Sequence, residues 1–503
     1  MLMNSLLKVC FTLGLLIAGT ALSAATPNVL FIAVDDLNDW IGCLGGHPQA
    51  KTPNFDRLAK SGVLFTNAYC AAASCNPSRT AIFSGRPPHR SGLYQNMQKM
   101  REVMPEAELL PRYFSRHGYW SAGSGKMLHY VIDPSSWDDY FPDKAKDDPF
   151  PHTFYPKQRP VNLPRAGDWQ YVETDWAALE VSDEEFGGDW SVTRWIGEQL
   201  GRPHEKPFFL ACGLYRPHEP WFVPKKYFEP FPLETIQTGP GVQEGDLDDV
   251  PPLGQKLGRN RYFAHIQAHG QWKKGIQAYL ASIHFADAML GRVLDALKAG
   301  GVENDTFVLF TSDNGCASYI GVKEMEKQGH YPSGPLRDYK TSVYEGGHRV
   351  PFVVKWPGVV KAGSVCKQLV LQADTMATLA EIFEVKLPDT AGEDSFSMMP
   401  LLKSEDRPIR TNAVNTACGG TPSFRDGPWK YVAHAEPELY NLDEDLGETM
   451  NVAPLHPDRV KAMQAAFEKL IRAGRSTPGA PQKNDIKVVR YPKAAEAPKA
   501  KKN

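Results

Sequence analysis

The stretch NVLFIAVDD, residues 28–36, runs six apolar residues without a break from Val29 and then stops on two adjacent carboxylates. A strand with one wet face alternates apolar and polar residues. An unbroken apolar run instead predicts a strand covered on both faces, as in a parallel sheet. The same texture recurs in PFFLACGL (207–214) before YRPHEP, and in DTFVLFTS (305–312) before Asp313-Asn314-Gly315. RVPFVVKWPG (349–358) adds a further strand, and GYWSAGS (118–124) before GKMLH is a weaker case. Between these runs lie helical stretches such as TPNFDRLAKSG (52–62) and FADAMLGRVLDALKAGG (285–301). The pattern predicts an α/β fold, a large mostly parallel sheet sandwiched by helices. Open sheets of this kind form their sites beyond the carboxyl ends of the strands, where the polar clusters fall.

The chain has 503 residues, 42% of them hydrophobic, enough for a large core. Lys and Arg number 56 against 58 Asp and Glu, a formal net charge of -2 that argues against a nucleic-acid-binding or polybasic membrane-binding protein. Residues 1–24 read as a secretory signal, with Lys8 before the apolar VCFTLGLLIAG and small residues at Ala21, Ser23 and Ala24. No other long apolar run is present, so an exported protein with no membrane span is expected, in a bacterial periplasm or secreted. Residues 25–400 are expected to form the main domain and 401–475 a smaller α+β subdomain. The latter rests on short strands in RTNAVNTACGG, PWKYVAHA and PELYNLDED, followed by the amphipathic helix HPDRVKAMQAAFEKLIRAG. Residues 476–503, rich in Pro, Lys and Ala, read as a disordered basic tail.

Removing the signal takes Cys10 and leaves Cys43, Cys70, Cys75, Cys212, Cys316, Cys366 and Cys418, an odd number. In an oxidising compartment that suggests a free or modified thiol. Cys75, in CNPSRTAIFSGR (75–86), stands just before a helix that Pro77 is well placed to start, beside Arg79. A Cys70–Cys75 disulfide closing a tight loop is the alternative. Asp35, Asp36, Asp313 and Asn314 form an all-oxygen donor set suited to Ca²⁺ or Mg²⁺, or are merely loop and capping carboxylates. Lys126, His129, His218 and Lys340 offer cationic groups and imidazoles, each of which also has a plain surface or loop reading.

CNPSR followed by TAIFSGRPP resembles the C-x-P-S-R and T/S-G-R-x-P motifs of the formylglycine-dependent sulfatase family, in the alkaline phosphatase superfamily. The resemblance extends through NVLFIAVDDLNDWIGCLGG, TPNFDRLAKSGVLFTNAYC, GYWSAGSGKMLHY, SDNG, GPLRDYKTSVYEGGHRVPFVVKWPG and ELYNLDEDLGETMNVA. GKMLH and YRPHEPWFVPKKYF look most like the iduronate-2-sulfatase branch. LRDYK…YEGG is more similar to arylsulfatases and galactosamine-6-sulfatases.

The resemblance implies that a maturase oxidises Cys75 to formylglycine, whose hydrate attacks sulfur. It implies Ca²⁺ held by Asp35, Asp36, Asp313 and Asn314 and contacting the modified Cys75. Arg79 and Lys126 would hold the hydrate and sulfate. His129 would take a proton on the nucleophile's side, and His218 and Lys340 would assist the departing alcohol. The expected substrate is a sulfated mono-, oligo- or polysaccharide. An arylsulfatase or choline-sulfatase specificity, or a phosphonate or phosphate ester hydrolase of the same superfamily, is the rival. A non-catalytic glycan-binding relative would need a broken motif, and none is broken. Arg216, His89, Arg90, His348 and Arg349 either line the substrate pocket or hold loops together, and His330 is equally undecided.

Overall fold

The computed structural model describes residues 26–158, 162–164, 175–237, 248–258, 265–266, 268–317, 336–483 and 488–492. The signal segment 1–24 and His330 lie outside the described residues.

Eight strands form the main sheet: β1 (Asn28–Val34), β2 (Val63–Phe65), β3 (Trp120–Gly125), β4 (Asp139–Phe141), β5 (Phe208–Leu214), β6 (Thr306–Ser312), β7 (Phe352–Lys355) and β8 (Ser364–Cys366). Their spatial order is β8-β2-β7-β6-β1-β5-β3-β4. β1 is central and pairs in parallel with β5 (Phe31 opposite Ala211) and with β6 (Phe31 opposite Leu309). β7 alone opposes the common direction, pairing antiparallel with both β2 and β6. The sheet is therefore mostly parallel, as the apolar runs predict.

The unbroken runs have the predicted cause. Leu30, Ile32 and Val34 enter one core with Leu210, Leu214 and Phe310. Val29, Phe31 and Ala33 enter the other, with Phe209, Ala211 and Leu309. Each large side chain so buried contributes about 1.5–3 kcal/mol, so a polar substitution on either face is costly.

Helices α1 (Pro53–Ser61), α3 (Asp189–Gly201) and α4 (Trp272–Ala299) cover the first face. α2 (Cys75–Ser84) and α5 (Asp374–Ile382) cover the second, through Ile82, Phe83, Met376 and Leu379. α2 begins at Cys75 itself, two residues earlier than its proline suggests. It ends at Gly85, whose φ of 66° is the left-handed conformation that glycine favours at a helix end.

A separate antiparallel sheet follows, in sequence order β9 (Asn412–Thr416), β10 (Pro422–Asp426), β11 (Trp429–Val432) and β12 (Glu438–Asn441). Met463, Phe467 and Ile471 of α6 (Pro457–Ala473) pack on Val414, Phe424, Tyr431 and Leu439. Pro400 falls inside the short helix Met399–Leu402, whose leucines belong to the main core, so the second sheet begins only at Asn412. Residues 476–483 and 488–492, read from composition as structureless, are placed against the protein. Ser476 bonds Asp394 at 2.6 Å, and Val488 is buried among the α6 residues. Val488 and Tyr491, isolated apolar anchors in a polar segment, have no periodicity to reveal them.

The small sheet also positions the site. Thr416 of β9 exchanges backbone hydrogen bonds with Ala71 and Ala73, two residues short of α2. Lys430 of β11 lies 3.0 Å from Glu345 and 2.8 Å from Glu448, a buried ion cluster across the junction.

Candidate active site

β1, β3, β5 and β6 end side by side, and each is followed by polar residues that converge on the first turn of α2. Beyond β1, Asp36 takes a φ of 57°. Its backbone N–H donates to Asp313 Oδ1 at 3.1 Å, and its carbonyl accepts from the Tyr279 hydroxyl at 2.7 Å. A short carboxylate residue tolerates this left-handed conformation better than most. At the end of β3, Gly125 has a φ of 78°, and a Cβ there would collide with the Gly213 carbonyl. The two glycines let the chain after β3 close on β5 and turn Lys126 inward.

The thiol of Cys75 is buried, with Sγ 3.5 Å from Asp35 Oδ1, 3.9 Å from Asp36 Oδ1 and 3.8 Å from Lys126 Nζ. Lys126 also forms a short ion pair with Asp35. Arg79, one turn along α2, bonds Asp313 at 2.7 Å and Asp35 at 3.3 Å. Lys340 Nζ lies 2.7 Å from Asp36 Oδ1, and His218 Nε2 lies 3.7 Å from Asp36 Oδ2. The other ring nitrogen of His218 meets the Glu219 carbonyl at 2.6 Å, so it carries the hydrogen in the neutral ring. His129 makes no hydrogen bond from its buried Nδ1 among the described residues and stacks edge-on to Tyr130.

The disulfide alternative fails on geometry. Cys70 points its sulfur at the Ala72 carbonyl, 3.1 Å away, and all seven described cysteines are free.

The electrostatics follow from burial. Burial opposes ionisation of Asp35, yet Lys126, His218, Arg79 and Lys340 together hold it well below the usual carboxylate range. Burial pushes Asp313 up to about 7, and Asp35 and Asp36 add to this against the pull of Arg79. Burial, then Asp35, raises the Cys75 thiol well above its ordinary value, so the unmodified side chain is not a thiolate. Burial, reinforced by Lys126, lowers His129 to about 2. His218 falls to about 4, again by burial, with Asp36 opposing.

Asp35, Asp36 and Asp313 each offer an oxygen within 4.8 Å of the others, and Asn314 Oδ1 is buried with no hydrogen-bond partner among the described residues. Three carboxylates and an orphaned amide oxygen fit a hard cation. Arg79, Lys126 and Lys340 already balance the three carboxylates. A divalent cation would therefore leave the cluster positive, suited to an anionic ester.

Every site residue drawn from the sequence is thus at or beside one cluster. Of the undecided five, Arg90 pairs with Asp394 at 2.7 Å, with His89 beside it. His348 sits between the Tyr344 and Thr416 carbonyls, and Arg349 bonds Thr66. These four hold loops together, whereas Arg216 lines a cavity near the site. Sequence reasoning missed Glu219, whose carboxylate groups with Asp36 and His218. It also assigned no role to Ser78, whose hydroxyl bonds the Asp313 carbonyl at 2.5 Å. Both lie inside quoted motifs, Ser78 in CNPSR and Glu219 in YRPHEP beside His218.

The sulfatase family model matches residues 27–385. A sulfatase of Formosa agariphila is 32% identical over 458 residues, covering 88% of this chain and 86% of its own. N-acetylgalactosamine-6-sulfatase of Rattus norvegicus is 28% identical, covering 90% and 80%. Iduronate 2-sulfatase of Homo sapiens is 31% identical, covering 62% and 58%. Both branches suggested by the motifs therefore appear among the relatives. Phosphonate monoester hydrolase of Agrobacterium radiobacter shares the fold, with a TM-score of 0.66 at 23% identity over 88% of this chain and 95% of that one. With the cluster at its strand ends and these relatives along most of its length, the chain belongs to the sulfatase family and is a sulfuric ester hydrolase.

Proposed function

We propose that this is an exported sulfatase that removes sulfate from a sulfated carbohydrate, with Cys75 converted to formylglycine and Ca²⁺ held by Asp35, Asp36, Asp313 and Asn314. The observation that carries it is the placement of residue 75. Its side chain sits at the start of a buried helix, against two carboxylates and a lysine. The names of the N-acetylgalactosamine and iduronate sulfatase relatives support the carbohydrate.

When bound, the cation supplies positive charge that polarises the ester and eases charge build-up at residue 75. The oxidised side chain supplies a hydroxyl nucleophile where the thiol now lies. Arg79 and Lys126 position that group and screen the approach to an anionic ester. Lys340, which Asp36 keeps protonated despite burial, and His218 both reach the Asp36 carboxylate and would meet the leaving oxygen. His129, uncharged with a bare buried nitrogen, accepts the proton on the nucleophile's side.

The test is to co-express the protein with a formylglycine-generating maturase and measure release from paired aryl sulfate and aryl phosphonate esters, then from a panel of sulfated sugars. Sulfate release that exceeds phosphonate hydrolysis, with an aldehyde at residue 75 by peptide mass mapping, is the expected result. Dominant phosphonate hydrolysis would overturn it.

A further inference from the structure

A cavity of about 260 Å³ opens beside the reaction cluster. Lys126 lines it on the cluster side. Tyr130, Phe150, Tyr155 and Tyr215 supply an aromatic wall, and Arg216 lies in it with 2% of its surface exposed. The wall is continuous, with the Phe150 ring 5.2 Å from Tyr130 and 5.3 Å from Tyr215. Tyr130 and Tyr155 are both about half exposed and face solvent at the surface.

Arg216 is the unusual member. Its guanidinium has five donors. Among the described residues it meets the Phe222 carbonyl at 3.3 Å, the His218 carbonyl at 3.5 Å and the Tyr155 hydroxyl at 3.5 Å, all long, and it has no carboxylate partner. Asp189 also lines the cavity and its charge acts on Arg216, but its two oxygens accept the backbone N–H groups of Tyr215 and Arg216 at 2.8 Å and it makes no ion pair with the guanidinium. A buried guanidinium held only by long hydrogen bonds, with no direct ion pair, keeps donors that an incoming anion can engage. Arg216 and Lys126 lie 5.1 and 5.3 Å from the same Tyr215 ring, so the two cations are separated by no more than the width of one or two sugar rings.

We propose that this cavity is a second anion subsite, in which Arg216 pairs with a carboxylate or a further sulfate on the substrate sugar or its neighbour while the aromatic wall packs against a sugar face. The inference rests on the carbohydrate sulfatase reading and names its substrate class: a polyanionic saccharide instead of a singly sulfated neutral one. The segment after β4 that carries Phe150 and Tyr155 has no motif, which suits a specificity element.

The experiment uses the matured enzyme with disaccharide sets in which the scissile sulfate is constant. The neighbouring sugar is neutral, carries a carboxylate, or carries a second sulfate. Wild-type kcat/KM should favour one or both anionic members over the neutral one by about 10- to 100-fold, the range of a charge-assisted hydrogen bond pair. The carboxylate and sulfate arms identify which anion it is. Arg216→Met should erase the preference, and Arg216→Lys should keep part of it, because the charge survives and the planar fork does not. Equal turnover of neutral and anionic members by wild type would overturn the subsite and leave the sulfatase reading intact. Failure to release sulfate from any member would strike that reading instead. Should Arg216→Met fail to fold, the wild-type series and Arg216→Lys decide, and a preference unaltered in Arg216→Lys would count against the guanidinium.

Discussion

The sulfur of Cys75 and the Nζ of Lys126 lie 3.8 Å apart, although 51 residues separate them in the chain. One comes from the first turn of α2 and the other from the end of β3. Asp35 bridges them, in contact with both. The proposed nucleophile precursor therefore sits in a preformed charged cradle whose donors need no rearrangement to meet an anionic ester.

Replacing Cys75 with Ala should abolish sulfate ester turnover, by roughly four orders of magnitude or more, as loss of a covalent nucleophile does. The fold should survive, because the thiol faces carboxylates and a lysine and fills no apolar gap. Steady-state assay and thermal unfolding of the same preparation check this. A variant that keeps turnover would remove residue 75 from the chemistry.

Asp313→Asn should weaken Ca²⁺ binding and lower activity by about 100-fold at limiting calcium, with excess calcium restoring part of it. Chelation of the wild type should reproduce the loss. Arg79 loses its 2.7 Å partner at the same time, so a modest fall in melting temperature is also expected. Calorimetric calcium titration separates the two effects, and wild-type activity indifferent to exhaustive chelation would sink the metal assignment.

His218 and His129 should differ in leaving-group dependence. A sugar alkoxide needs a proton to depart, whereas nitrophenolate does not. His218→Ala and Lys340→Ala should each therefore be far more damaging on a sugar sulfate than on nitrophenyl sulfate. His129→Ala should give a burst of nitrophenol and little steady turnover. Equal losses for His218→Ala across leaving groups of widely different pKa would withdraw its role at the leaving oxygen.

His47 offers a pH test outside the site. Its Nδ1 accepts from the Gln49 N–H at 3.1 Å, its ring packs on Trp40, and burial lowers it to about 4. Its folded pKa lies below the unfolded value near 6.5, so the unfolded chain binds more protons between about pH 6.5 and 4. The neutral ring's contribution is complete above that window and is lost as the pH falls through it. His47→Gln, which keeps an acceptor that does not titrate, should show a shallower loss of melting temperature over the same range. An unchanged slope would mean that His47 is not a source of acid sensitivity.

The sheet was legible in the chain because burial on both faces leaves unbroken apolar runs, and the metal-type donors were legible because carboxylates end those runs at Asp35-Asp36 and Asp313-Asn314. Lys126, His129, His218 and Lys340 were legible only through resemblance, since an isolated lysine or histidine has no local pattern that separates it from a surface residue.

What the sequence by itself determined is five of the eight main strands (β1, β3, β5, β6 and β7), the helix at CNPSR and the chemical types available at the strand ends. The short β2, β4 and β8 carry too few residues to leave a pattern. Tertiary structure alone decided the reversed direction of β7, because a strand buried on both faces reads the same whichever way it runs. It also decided that Tyr279, 243 residues away, would hold the Asp36 carbonyl, and that Arg216 would line a cavity while Arg90 would pair with Asp394. Such outcomes depend on which distant groups share a buried volume. Charge pairing and close packing settle that only once the sheet has brought the strand ends together.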